Sequence, residues 1–447
     1  MGRGTQRYLI EDYLGRRARV YGGEKAILVG ILPPRAADEE RETFEELRAL
    51  AYTAGIFVVG QLLQRRAHPD PATFIGKGKA EELRSLAEAL GADTALFNDE
   101  LSPDQARALE EITALKIVDR TQLILDIFAQ RAGTKEAELA VELAQLEYLL
   151  PRLRGWGKAL TNPGGGIGTM GPGETKMEIE RRRVKRRIQA IRRALREADR
   201  VRELRRKRRS RSPIPKVAIV GYTNSGKSTL FRRLTGEAVL VEDKLFATLD
   251  TKVRKVALDE GRYVLVSDTV GFIRKLPHQL IPAFRATMEA AREADLLLNV
   301  LDASSPRVAE HFRAVERILA EEVFAPGEPR PPILHVLNKI DLVRDPHQEA
   351  LLSELRLELG RYVELSARLG WGLEGLKAAM AEILGDRWAD VRALVPYERG
   401  EILADLARLG KLEVLGGQDG GLLVHLVLPR EELSRLRGVP GLELMEA

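Results

Sequence analysis

The sequence predicts an α/β protein in four parts: a small parallel α/β domain, an antiparallel helical hairpin, a doubly wound P-loop domain and a small α+β domain. Three observations carry this. Short apolar runs alternate with helical patterns over residues 25–132 and again from Lys216 to about Gly385, the rhythm of parallel sheets covered by helices. Two heptad-spaced apolar seams separate these stretches. A chain of 447 residues is also too long for one hydrophobic core.

Taken in order, "KAILVGIL", "IFVVGQLL", "TALFND" and "KIVD" are the strands of the first part, with helices over 38–54, from about Gly78, from Ser102-Pro103 and after Asp119. Ser102 is a good cap and Pro103 suits the first helical position. The seams follow: Leu139, Leu143, Leu146, Leu150 and Leu153, then Val184, Ile188, Ile191, Leu195 and Ala198. An antiparallel hairpin pairs them seam to seam, with the glycine-rich "PGGGIGTMGPG" near its tip. "RRSRSPIP" reads as a linker, and after it come "KVAIVG", "TKVRKVAL", "YVLVSDTVG", "DLLLNVLDA", "PILHVLNKID" and "YVELSA", separated by helices. The tail offers a strand at "VRALVPY", a helix through Leu409 and a hairpin in "KLEVLGGQDGGLLVHLVL". The expected domains are 1–133, 134–211, 212–388 and 389–447.

Composition narrows the chemistry. Apolar residues make up 44% and charged residues 31%, as in a soluble folded protein, and no run approaches a membrane span. The N-terminus lacks the apolar stretch of a signal peptide, so a cytoplasmic location is expected. Absence of cysteine excludes a disulfide framework and thiolate metal sites. The six histidines show no ligand spacing. The net charge of +5 hides an asymmetry: residues 176–211 hold 18 Lys or Arg against 5 Asp or Glu, a local +13, leaving about −8 elsewhere. Such concentration favours a polyanionic partner.

"GYTNSGKST" contains the P-loop pattern, with a strand before it and a helix after it. Backbone N–H groups of Gly221, Tyr222, Thr223, Asn224, Ser225 and Gly226 are expected to face phosphate oxygens at a helix N-terminus. Lys227 is expected to reach the β- and γ-phosphates and Ser228 to bind Mg²⁺. "NKID" supplies Asn338, Lys339, Ile340 and Asp341 at a strand end. The Asp341 carboxylate can accept both N1–H and N2–H₂ of guanine, a donor pair adenine lacks; Asn338 suits the O6/N7 edge, and the Lys339 stem covers the ring. "SAR" (Ser366, Ala367, Arg368) can offer a backbone N–H to O6. In "DTVG", Asp268 is expected to hold Mg²⁺ through water and Gly271 to sense the γ-phosphate, with Thr269 and Val270 lining the site. "FATLD" (Phe246, Ala247, Thr248, Leu249, Asp250) sits where a switch loop belongs; Thr248, or alternatively Thr251, is the second Mg²⁺ hydroxyl. These motifs, in this order, make the third part a P-loop GTPase domain.

One departure from the usual switch pattern stands out. Phe272 follows Gly271 where many GTPases carry a water-orienting glutamine, so Lys227, Thr248 and Gly271 carry catalysis without it and slow, partner-stimulated turnover is expected. Asn224 has a side-chain carbonyl suited to a monovalent cation such as K⁺; the alternative is that it stabilises the loop itself. "FIGKGKAEEL", with Gly and Lys at a helix start, is a second possible anion site.

Together, "FNDELSPDQARALE", "VDRTQLILDIFAQRAGTKEAELAVELAQLEYLLPRL", "GGGIGTMGPGETKMEIERRR", "FATLD" and "DTVGFI" resemble the HflX family of ribosome-associated GTPases, in the Obg-HflX class. The resemblance implies a cytoplasmic Mg²⁺-dependent GTPase that binds the large ribosomal subunit and splits stalled or hibernating ribosomes. It also implies an N-terminal region reaching toward the peptidyl-transferase centre. The family usually has Arg where this chain has Met170, and often "RART" where it has Arg131-Ala132-Gly133-Thr134. A ribosome-assembly factor, or a switch for a protein effector, are the other readings; the +13 segment favours rRNA. A monomer that binds GTP and GDP is expected.

Gly166-x-Gly168-x-x-Gly171 spells a dinucleotide fingerprint, but a helix precedes it, not a strand, and no βαβ unit follows. Gly164, Gly165, Gly166, Gly168, Met170 and Gly171 are instead candidate RNA contacts at a hairpin tip. Arg181, Arg182, Arg183, Lys185 and Arg186 are further candidates on the basic helix.

Overall fold

The computed structural model describes residues 23–34, 37–153, 176–209, 214–237, 245–246, 252–259, 261–274, 288–324, 327–418 and 420–446. The chain divides into two compact units. One comprises 1–201, 244–250 and 273–285; the other comprises 202–243, 251–272 and 286–447.

The first unit carries a four-stranded parallel sheet of β1 (Lys25–Leu32), β2 (Phe57–Arg65), β3 (Thr94–Phe97) and β4 (Lys116–Asp119), in the order β2-β1-β3-β4. Alternation along β1 divides its side chains between two helical layers. Ile27, Val29 and Ile31 pack with Ala80, Leu83 and Leu109 from α2 (Lys77–Leu90) and α3 (Pro103–Thr113). The other face receives α1 (Ala37–Ala54) and α4 (Arg120–Arg131); at Gly30 an added Cβ would collide with the Phe44 ring of α1. Ser102 and Gln105 form a reciprocal capping box behind Pro103, which is why α3 starts where the sequence predicts.

α5 (Lys135–Arg152) and α6 (Lys176–Arg209) bury much of the predicted seams together: Leu143, Leu146 and Leu153 with Val184, Ile188 and Ile191. Leu139, Leu150 and Leu195 pack against them partly buried, and Leu149, outside the predicted seam, joins the cluster in place of Leu150. Two ion pairs staple the flanks, Arg187–Glu142 at 2.6 Å and Arg192–Glu147 at 2.7 Å. Glu142 and Arg187 each precede a seam residue, whereas Glu147 and Arg192 each follow one. Like flanks therefore face each other, as two antiparallel helices require; parallel helices would set a preceding flank against a following one. The hairpin-tip candidates Gly164, Gly165, Gly166, Gly168, Met170 and Gly171 lie outside the described residues.

The second unit holds a six-stranded sheet in the order β10-β9-β8-β5-β7-β6: β5 (Lys216–Gly221), β6 (Lys252–Ala257), β7 (Tyr263–Asp268), β8 (Leu296–Asp302), β9 (Ile333–Asn338) and β10 (Tyr362–Glu364). All pairs are parallel except β6 with β7. β5 lies between β8 and β7, where the strand order reverses, so its carboxyl end is the topological switch point at which such sheets bind ligands. Helices α7 (Lys227–Thr235), α8 (Val308–Ile318), α9 (Pro346–Leu359) and α10 (Leu373–Ile383) follow their strands. A second sheet, β12-β13-β11-β14, is wholly antiparallel. It consists of β11 (Trp388–Pro396), β12 (Lys411–Gln418), β13 (Gly421–Pro429) and β14 (Glu443–Glu446). Leu406 and Leu436, from α11 (Glu401–Leu409) and α12 (Arg430–Leu436), pack on Val391, Val424 and Leu426 of that sheet. The predicted hairpin is β12–β13; α12 and β14, joined through the Pro440-Gly441 turn, are additions to the predicted tail.

Candidate functional site

The loop after β5 is shaped by residues that tolerate positive φ. Gly221 (φ 146°) and Gly226 (φ 94°) occupy such positions, and a Cβ would strike the Val300 carbonyl at the first and the Asn338 amide at the second. Asn224 also has φ 60°, a conformation asparagine accepts better than most residues. α7 begins at Lys227 with no acidic residue in its first turn, leaving the positive end of the helix for an anion. The buried Ser225 hydroxyl has no hydrogen-bond partner among the described residues, an unmet polar group inside the loop.

Lys227 is buried, and its Nζ donates to the Tyr222 carbonyl at 2.6 Å. Burial lowers its pKa to about 8; the Asp268 carboxylate works against that shift and Lys339 adds to it. Three charged residues from separate motifs thus share one electrostatic environment. Asp268 ends β7 and is 1% exposed; Ser228 is half-buried. A hydroxyl and a carboxylate are hard oxygen donors of the kind Mg²⁺ takes alongside phosphate oxygens and water. That chemistry fits Mg²⁺, whereas no cluster of three His, Asp or Glu suited to a metal occurs among the described residues.

The segment after β7 lies along the P-loop. Thr223 N–H donates to the Phe272 carbonyl (2.7 Å) and Phe272 N–H to the Gly221 carbonyl (3.1 Å). At Gly271 a Cβ would fall 2.7 Å from Lys227 Nζ and 2.9 Å from Thr223 Cα, so only glycine fits beside the lysine. The Thr269 hydroxyl donates to the Ile219 carbonyl at 2.6 Å; its side chain serves β5. The Phe272 ring is 1% exposed, so it is a packing residue as well as a poor water ligand. Phe246 also turns inward: within the first unit its ring meets Phe128 edge-on at 4.7 Å, and Leu245 N–H donates to Thr53 Oγ1 at 3.1 Å. Ala247, Thr248, Leu249, Asp250 and the alternative Thr251 lie outside the described residues.

The base-reading loops come together through Asn338. Its Nδ2 donates to the Ser225 carbonyl (2.8 Å) and its Oδ1 accepts from Ala367 N–H (2.9 Å), all buried. The structure thus adds a tie between loops to the guanine-edge role expected of Asn338. One carbonyl lone pair and one amide hydrogen tie the P-loop to the "SAR" loop, and one of each is left. The Ala367 N–H is likewise spoken for. Lys339 (φ 65°) places Nζ 2.7 Å from Asp302 Oδ2, and Asp341 is half-buried in the 3₁₀ turn Ile340–Leu342. Ser366 is fully buried; its Oγ accepts from Leu369 N–H at 3.2 Å.

Three participants lie outside any motif. Asp302 holds Lys339, His311 of α8 stacks on the Tyr222 ring at 4.1 Å and 11°, and Arg233 of α7 donates to the carbonyls of Ala367 and Arg368. Motif spacing carries no trace of them, because each acts across a long sequence separation. On α6, Arg182, Arg183, Lys185 and Arg186 are exposed and Arg181 is half-buried.

Family models match in three consecutive stretches: GTP-binding GTPase N-terminal over residues 41–129, GTP-binding GTPase Middle Region over 131–209, and 50S ribosome-binding GTPase over 216–339. The GTPase HflX of Caldanaerobacter subterraneus is 46% identical over 414 residues, covering 93% of both chains. The chain belongs to the HflX GTPase family. The HflX of Escherichia coli is 40% identical over 420 residues, 94% of this chain and 96% of that one. Among solved structures, a GTP-binding protein from Sulfolobus solfataricus in complex with GDP is 26% identical, covering 81% of this chain and 99% of the other, with a TM-score of 0.42. Family membership accounts for a P-loop GTPase whose phosphate and base loops converge as described. Among the described residues, no helix is long and apolar enough to cross a membrane.

Proposed function

We propose that this chain binds GTP between its P-loop and the loops at Asn338–Asp341 and Ser366–Arg368, hydrolyses it with Mg²⁺, and uses the cycle to split stalled or hibernating ribosomes at the large subunit. The observation that best supports this is the Asn338 tie, which holds Ser225 and Ala367 to one side chain and so preassembles phosphate and base recognition. Mg²⁺ is assigned to Ser228, Thr248 and, through water, Asp268. Water attacks the γ-phosphorus as the bond to the β–γ bridging oxygen breaks, leaving GDP and phosphate. Without a glutamine at position 272, turnover is slow until the ribosome supplies the missing positioning. Asn224 is assigned a K⁺ beside the β–γ bridge; equal turnover in K⁺ and Na⁺ would remove that assignment.

The exposed cations of α6 and the glycines at 164–171 are assigned to rRNA. Arg at position 170 should strengthen ribosome binding if the tip uses that side chain. The protein is assigned to the cytoplasm as a monomer. Sucrose-gradient sedimentation of 70S ribosomes with the protein and GTP, GDP or a non-hydrolysable analogue tests the whole reading. Conversion to subunits with GTP or the analogue, but not GDP, is expected. Binding without separation would refute splitting and point to the assembly reading instead.

A further inference from the structure

Arg233 lies in the last turn of α7, six residues beyond Lys227, where a cation suits the helix C-terminus and calls for no further explanation. Its guanidinium nevertheless leaves the helix. Nε donates to the carbonyl of Ala367 at 3.1 Å, and Nη2 donates to the next carbonyl, that of Arg368. Two consecutive carbonyls of the "SAR" loop are thus held by one planar fork, whose rigid geometry fixes both acceptors at once.

The consequence follows from peptide geometry. In a trans peptide the N–H points opposite to the C=O. Holding the Ala367 carbonyl toward α7 therefore turns the Arg368 N–H away from α7. The neighbouring amides are already used: Ala367 N–H by Asn338 Oδ1 and Leu369 N–H by Ser366 Oγ. Of these three successive amides, that of Arg368 is the one with no protein acceptor among the described residues.

We infer that Arg233 is a positioning residue for base selection: it aims the Arg368 N–H at the O6 of guanine. An acceptor at the 6-position satisfies that amide, whereas the 6-amino group of adenine would set donor against donor. The inference rests on the GTP-binding reading of the site and adds a residue that the nucleotide motifs do not include.

The test is equilibrium titration of wild type, Arg233→Ala and Arg233→Lys with GDP, ADP and 6-thio-GDP. The last keeps the N1–H and N2–H₂ groups but offers sulfur, a weak acceptor, at position 6. Arg233 is exposed, so truncation opens no cavity, and unchanged melting temperatures verify folding. Arg233→Ala is expected to weaken GDP binding about fivefold to tenfold, the equivalent of one neutral hydrogen bond, and 6-thio-GDP binding less than twofold. Arg233→Lys, with one donor direction, should fall between. Equal losses for GDP and 6-thio-GDP would mean general loosening of the loop and would overturn the inference. So would no loss for either. A wild-type protein that does not prefer GDP to ADP would instead overturn the underlying reading of the site.

Discussion

Lys227 makes nucleotide binding a proton-coupled event. In the nucleotide-free chain burial holds its pKa at about 8. A polyphosphate placed against the ammonium restores the charged form and lifts the pKa back above the ordinary lysine value. At pH 8 about half of the free protein therefore lacks this proton, and binding GDP takes up roughly half a proton per site. At pH 7 the uptake falls to roughly a tenth. Affinity should weaken as pH rises through 8, by about tenfold between pH 7 and pH 9, because the competent form is depleted. Folding responds with the opposite sign. The unfolded chain keeps the lysine protonated up to its ordinary pKa, so this group makes the free protein more stable as pH rises from about 8 toward that value. Calorimetric titration with GDP at pH 8, in two buffers of different ionisation enthalpy, measures the uptake directly. Zero uptake at pH 8, or equal uptake at pH 7 and pH 8, would refute the coupling.

Three further outcomes follow from the same packing. Asn338→Ala strips a buried carbonyl and a buried N–H of their partner, at a cost of about 2–6 kcal/mol; thermal denaturation and GDP titration should both show severe loss, and intact affinity would count against the tie. Phe272→Gln should not raise ribosome-free turnover. That side chain is buried, so the amide is trapped away from water and the variant loses at least about 2 kcal/mol of stability, measured by denaturant unfolding alongside phosphate release. Arg120, 2% exposed, joins Glu46 (2.6 Å), Asn98 Oδ1 and the carbonyls of Thr43 and Arg274. Arg120→Met should destabilise the first unit by about 3–5 kcal/mol, read from urea unfolding; a change below 1 kcal/mol would show that the network relaxes around the loss.

Much of this architecture was legible because its causes are local. β1 coincides with "KAILVGIL", the Ser102-Pro103 start of α3 is a capping box, and the 4-3-4-3 spacing of two seams became one buried cluster. The P-loop was equally plain, since glycines and asparagine at positive φ leave a spelling that spacing preserves. What sequence could not give was the use of one residue by another far along the chain. Asn338 looks like a base ligand from its motif, yet Ser225 and Ala367 claim half of its hydrogen-bonding capacity. Arg233 looks like an ordinary helix terminus until its acceptors, more than 130 residues away, come within reach. The antiparallel edge strand β6 was read as a strand, but its direction depends on pairing with β7, which no periodicity encodes.

The ion pairs that staple the hairpin change what its charge can do. When RNA replaces the counterions condensed on its own backbone, each protein cation that meets a phosphate releases one, and the salt dependence of affinity counts those events. Arg187 and Arg192 already face carboxylates across the seam, so they contribute little to that count. Those two pairs remove about two counterion-release events, roughly 2 in log–log slope, from what the local charge of +13 suggests. Part of that arginine-rich run thus serves as mortar for the hairpin.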